Sequence, residues 1–388
     1  MALSSIEFEK GSGNLGRVSD SQDGISGLLF YQAVPSAFAS GTLRQVFSVL
    51  EAEQLGLTAE AEPVIHYHVT EFFRMFPSGS LYLAVYALPV DETNHTFSEL
   101  AAFQTGADGA LRQVGIHTSK PYDVSMIPAL QLVVDQLEVE HMPLSVILCA
   151  DISEATLTSL PDTRNQQSAG VTVNIGQDGA STGASLYLAK GFTIGTIGTA
   201  LGVLARASVH ESMAWVGKFN VGGSELDVPA FGNGTLVRNI TTTQMNELDN
   251  RGYLFLQKHR GIGGTYFNGS WTSSANDYDT IEKNRAIDKA IRGIRAAVLP
   301  SLSAPLYVNA QSGQLSEDTV RAFRSEALRP IDAMITAGEL SGGDVIINPA
   351  QNVLSDDTLR IAVELVPVGV SRKIKFTIGY TVKLSAAA

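Results

Sequence analysis

The most regular alternation of apolar and polar positions in this 388-residue chain stands at its end. In RKIKFTIGYTVKL, Ile374, Phe376, Ile378, Tyr380, Val382 and Leu384 alternate with Lys373, Lys375, Thr377, Gly379, Thr381 and Lys383. That is the period of a strand with one face to bury. TLRIAVELV alternates likewise through Leu359, Ile361, Val363 and Leu365, and PVGVS can turn the chain between the two. A terminal hairpin is predicted.

Before it the period becomes helical. In DYDTIEKNRAIDKAIRGIRAAVLPSL (277–302), Ile287, Ile291, Ile294 and Val298 recur at steps of four, three and four and share one face. Arg285, Lys289 and Arg292 repeat at the same spacing on another face. Asp279 and Glu282 have the spacing of a capping box, and Pro300 ends the helix. A second helix follows Ser316, an N-cap with Glu317 and Asp318 in its first turn, and carries Arg321, Arg324 and Arg329 before Pro330.

The first two-thirds of the chain follow another pattern. SLYLAVYAL (80–88), RQVGIHTS (112–119) and LSVILCAD (144–151) are near-continuous apolar strands, separated by the helical stretches TFSELAAFQ and IPALQLVVDQLEVE. Such an alternation predicts a parallel sheet covered on both faces. VTVNIG (171–176) and ASLYLA (184–189) extend it as strands, TALGVLARASVHESMAW is helical, and RGYLFLQKH opens a further strand. Between about 220 and 250 the composition shifts toward Gly, Asn and Thr, which marks a boundary. The expected class is α/β, with α+β character in the last region: an arm over 1–24, an α/β region over 25–249, and a C-terminal domain over 250–388.

A hydrophobic share of 44% and a charged share of 17% fit a folded protein and exclude a disordered one. With 27 Lys and Arg against 39 Asp and Glu, the net charge of −12 argues against nucleic-acid or anionic-membrane binding by the surface as a whole. MALSSIEFEK lacks the basic and apolar regions of a signal peptide, so synthesis and retention in a cytoplasm are expected. The weakly polar run 191–207 is shorter than the ~20 residues a membrane span needs. Cys149, the single cysteine, sits in an apolar run as a small buried hydrophobe.

The chain offers little catalytic chemistry. GSGNLG (11–16) has the form of a dinucleotide signature but lacks the preceding strand and following helix that hold a pyrophosphate. Gly195, Gly198 and Gly202 lead into a helix without a P-loop lysine, and close backbone packing explains them. His66, His68 and Glu71 suggest metal ligands, since residues two apart on a strand, such as the two histidines, share a face, yet no further cluster supports them. No catalytic residue, cofactor or metal is expected.

What remains is assembly chemistry. Ile6 and Phe8 in the arm, and Ile374 to Leu384 at the end, are strand-forming pieces suited to β-augmentation of a neighbour's sheet edge. The competing reading is a hairpin packed inside its own domain. The basic residues Arg285, Lys289, Arg292, Arg321 and Arg324 fit either a solvated helix face or a contact with an acidic partner.

The order of GIGGTYFNGSWTSSANDYDTIEKNRAIDKAIRGIRAAVLPSL, IDAMITAGELSGGDV and LRIAVELVPVGVSRKIKFTIGYTVKL resembles the C-terminal domain of contractile tail sheath proteins. GNLGRVSDSQDGISGLLF and VHESMAWVGKFNV resemble the sheath-like DUF2586 family. The resemblance implies a subunit that polymerises as hexameric rings stacked helically around an inner tube and contracts to drive the tube through a target envelope. It implies partners in the tube, baseplate and tail terminator proteins, and a place in the tail of a virion or related particle. Residues 25–249 would face outward and the C-terminal domain would lie near the tube. Carried over, Ile6, Phe8, Ile374, Phe376, Ile378, Tyr380, Val382 and Leu384 would link neighbours, and the five basic residues would meet tube or neighbour. An α/β enzyme or ligand-binding protein using the crevice of the parallel sheet is the alternative class.

Overall fold

The computed structural model describes residues 22–36, 38–89, 95–309, 311–351 and 353–381. Ile6, Phe8, the GSGNLG stretch, Val382 and Leu384 lie outside them.

In chain order the first part comprises β1 (Ser26–Tyr31), β2 (Arg44–Val46), α1 (Val49–Gln54), α2 (Pro63–Met75), β3 (Leu81–Tyr86), α3 (Glu99–Gly106), β4 (Gln113–Pro121), α4 (Met126–Val139), β5 (Ser145–Asp151) and β6 (Val171–Asn174). β7 (Gly176–Asp178), α5 (Thr182–Lys190), α6 (Ile197–Arg206), β8 (Pro229–Phe231), α7 (Thr242–Asn250), β9 (Tyr253–Leu254), β10 (Leu256–Gln257) and β11 (Tyr266–Phe267) follow. The main sheet runs β2-β3-β1-β4-β5-β6-β9, parallel except for β2 on β3. Along β1, Leu28 and Phe30 face a core shared with α2 and α6, while Leu29 and Tyr31 face one shared with α3 and α4. Burial on both faces is why the run is apolar throughout.

Three expectations change in this part. Residues 184–189 belong to helix α5, because the Asp178 carboxylate accepts from the Ser181 and Ala184 amides at 2.6 and 3.1 Å and Gly191 caps the far end in the left-handed region. His66 and His68 lie on helix α2, so the shared strand face disappears. Tyr253–Leu254 pairs with β6 in the main sheet, and Leu254, Leu256, Phe267 and Ile281 join its core. The packing therefore changes near residue 281 and not at 250.

α8 (Ile281–Val298), α9 (Glu317–Thr336), β12 (Leu340–Ile347), α10 (Val353–Asp356) and β13 (Ile361–Pro367) build a third core. α8 starts at Thr280 without a side-chain cap; Asp279 pairs instead with Lys283 at 2.8 Å and Arg164 at 3.4 Å. α9 continues through Pro330, where a Cβ on Gly293 of α8 would stand 2.8 Å from the proline ring. Glycine lets the helices touch there, and that packing offsets the hydrogen bond that proline removes. β13 pairs antiparallel with β12, from Leu340 opposite Pro367 to Ile347 opposite Ile361, and among the described residues, 373–381 form no hairpin with it. Among the described residues no helix is long and apolar enough to cross a membrane.

The α6 glycines do serve close packing. A Cβ on Gly198 would collide with the His68 carbonyl, and one on Gly202 would lie 2.7 Å from the Phe72 carbonyl oxygen. Gly198→Ala should therefore destabilise the fold by about 2 kcal/mol or more, read as a lower urea midpoint, through overpacking against a backbone that cannot yield. An unchanged midpoint would contradict this account of the α2–α6 contact.

Candidate assembly interface

After β13 the chain belongs to no strand from 371 to 381, and its apolar side chains have no cover. Ile374 is 68% exposed, Phe376 83% and Ile378 92%, with Tyr380 fully open. A segment with a strand's alternation and no sheet to join leaves its apolar face to be covered elsewhere.

A receptor of matching character lies in the same domain. β12 and β13 form a two-stranded sheet with no third strand among the described residues. Beside β13 a groove of about 930 Å³ is walled by Ile361, Val363 and Leu365 and by Ile287, Ile291, Ile294 and Val298 of α8. The apolar face of α8 expected from its spacing is thus real, and much of it lines this open groove. Outward from β13, Ala362, Glu364 and Val366 are exposed.

The basic stripe of α8 faces the other way. Arg285 is 3% exposed and donates through Nη2 to the carbonyls of Leu204 and Ala207 at 2.9 and 3.2 Å and of Asp23 at 3.2 Å. Leu204 and Ala207 sit at the C-terminal end of α6, where a cation is favourable to the helix dipole. Lys289 Nζ bridges Asp23 and Glu339 at 2.7 Å each, and Arg292 Nη2 reaches Asp23 at 3.0 Å. Burial removes Arg285 from any contact with a tube or a neighbour, while Lys289 and Arg292 pair with carboxylates of their own chain. Arg321 and Arg324 stay on the surface, paired at 2.7 Å with Glu317 and Asp344.

Residues 3–270 match the DUF2586 N-terminal domain and residues 277–385 its C-terminal domain. The chain belongs to the DUF2586 family. No curated protein matches it in sequence. Its fold is similar to the helical sheath of the anti-feeding prophage (AFP) in the contracted state, at 16% identity and TM-score 0.64, covering 99% of this chain and 100% of that one. It is similar to the contracted PVC sheath complex of an extracellular contractile injection system, at 15% identity and TM-score 0.63 over 98% of each. The sheath tail protein Lin1278 of Listeria innocua is a third, at 10% identity and TM-score 0.55 over 90% of this chain and 96% of that one.

In this DUF2586 chain the residues that secure the terminal segments escaped the sequence reading. Arg372, next to the exposed segment, donates to buried Glu282 at 2.6 Å and to the Ser270 hydroxyl at 3.1 Å, and stacks 4.3 Å from the Trp271 ring. The spacing between Arg372 and Glu282 carries no periodic signal, and neither does that between Asp23 and Lys289. The other candidates are accounted for internally. His68 Nε2 donates to the Ile194 carbonyl at 3.0 Å and Nδ1 accepts from the Gly198 amide, and Glu71 is held by Arg74 and Thr199. Burial pushes the Cys149 thiol well up, which makes it inert. Among the described residues no three His, Cys, Asp or Glu side chains form a metal cluster.

Two acids near the α8 stripe titrate in opposite senses. Burial opposes ionisation of Asp23, but the Lys289 hydrogen bond and the charges of Lys289, Arg292 and Arg285 outweigh it and lower its pKa. Burial, aided by Glu138 and opposed by Arg292, Arg112 and Arg285, pushes the Asp288 carboxyl up to about 7. Between the normal Asp value and 7 the unfolded chain loses this proton while the folded chain keeps it, so folding stability falls as pH rises through that window. Asp288→Asn should remove the slope and stabilise the protein by about 1 kcal/mol or more at pH 8, with little change at pH 4. Thermal melts across that range check it, and parallel curves for both proteins would overturn it.

Proposed function

We propose that the chain is the subunit of a contractile sheath, polymerising as hexameric rings stacked helically around an inner tube and contracting to drive that tube through a target envelope. The observation that carries this is the exposed alternating segment Ile374–Tyr380 in a chain that also holds an open apolar groove along β13. A segment from one copy adds to the β12–β13 sheet of the next, its amides pairing with the sheet edge and alternate side chains entering the groove. Four apolar residues at roughly 1.5–3 kcal/mol each when fully buried leave several kcal/mol per joint after ordering costs. Ile6 and Phe8 on one side, and Val382 and Leu384 on the other, would extend the link.

The likeness in fold to the AFP and PVC sheaths over nearly the whole chain supports this reading. In it, residues 1–24 are a linking arm, the main-sheet region that follows, up to about 280, faces outward, and the part from α8 to β13 lies toward the tube. The sheath also meets baseplate and terminator proteins in the tail of a virion or related particle. The chain acts mechanically and not as an enzyme. Surface ion pairs worth about 0–1 kcal/mol each suit contacts that break together on contraction.

Removing residues 373–388 should abolish tubes and rings in negative-stain images while leaving the circular dichroism and melting of the subunit intact. Ile291→Asp, which charges the groove, should act in the same way; tubes of normal length from either variant would overturn the linking mechanism. For the tube contact, Arg321 and Arg324 are the surface candidates. Their joint reversal to Glu should reduce tube co-purification several-fold, and unchanged co-purification would remove α9 from that role.

A further inference from the structure

α8 holds the roots of both terminal segments. Near its N-terminus Glu282, 5% exposed, has Arg372 as its hydrogen-bonding partner among the described residues, and Arg372 immediately precedes the exposed segment. Trp271 backs this contact: one face of its ring carries Arg372 and Arg164 stands over it at 4.6 Å, itself bonded to Asp279. Further along the same helix, Arg285, Lys289 and Arg292 converge on Asp23, at the base of the N-terminal segment. From Glu282 to Lys289 and Arg292 the helix rises roughly 10–15 Å.

We infer that α8 is a tie between the two linkers, fixing where each leaves the subunit and carrying tension from one to the other. The anchoring stands on this chain alone; the transmission of tension rests on the sheath reading. Each anchor has a charge that cannot be left behind. A buried Glu282 without Arg372 would lose its hydrogen-bonded counter-charge, and the Asp23 carboxylate without Lys289 and Arg292 would lose both its ion pairs. The folded subunit therefore keeps both roots on α8. Two apolar roots could slide along a helix; charge-assisted bonds of fixed geometry hold a register.

Distances between nitroxide labels in the unassembled full-length chain test the anchors. One label pair is placed at Lys373→Cys and Ser325→Cys and another at Gln22→Cys and Ser325→Cys; buried Cys149 does not take the reagent. Each pair should give one narrow distribution. Arg372→Gln should at least double the width for the first pair and Asp23→Asn for the second, whereas the change Lys258→Ala at an exposed ion pair should alter neither. Should either variant fold poorly, Arg372→Lys, which keeps the charge but loses the guanidinium fork, should broaden the first distribution and Lys289→Gln the second. Narrow distributions in all of these variants would overturn the tie. If the chain polymerises while the distances ignore these changes, the tie falls and the sheath reading stands. If the distances respond but no polymer ever forms, the anchors stand and the sheath reading falls.

Discussion

Everything in this subunit depends on the ionic joint between α8 and residue 23. The helix is the hub of the third core through Ala286 and Ala290, yet its opposite face sends Arg285 into the carbonyl end of α6 and Lys289 and Arg292 onto Asp23. One element thus fixes the C-terminal domain to the parallel-sheet region and to the start of the described chain. A protein of net charge −12 concentrates cations here because a buried junction of backbone carbonyls and carboxylates needs them.

The same helix explains why the rest of the domain can remain incomplete. Its apolar stripe is only partly covered by α9 and β12, and β13 leaves a groove along it. A two-stranded sheet is marginal by itself and gains from a third strand. The chain contains a segment with a strand's alternation, but its root is pinned at Glu282 and Ile374, Phe376, Ile378 and Tyr380 point into solvent. Supply and demand lie in one molecule without meeting inside it, which is the condition for an open polymer built from identical copies.

Much of the fold is visible in the residues. β3 and the centre of β5 read as near-continuous apolar runs because both faces of the sheet are buried, and the spacing of Ile287, Ile291 and Ile294 marks the groove wall. The errors have physical causes. ASLYLA alternates like a strand, but Asp178 and Gly191 cap it as a helix, and a carboxylate outside a segment leaves no mark on its period. His66 and His68 are two apart in either structure, so their spacing alone could not tell strand from helix.

By itself the sequence determined the parallel sheet, the two long helices and a final segment with a face to bury, because periodicity encodes which side of an element meets apolar surroundings. It could not decide what meets what. That β13 takes β12 as its partner, that the basic stripe turns inward to Asp23 and Glu339, and that Arg372 reaches back ninety residues to Glu282 are outcomes of three-dimensional packing. Charge spacing along a helix is the same whether the partner is water, another chain or a buried carboxylate, and only the tertiary structure brings the partner into place.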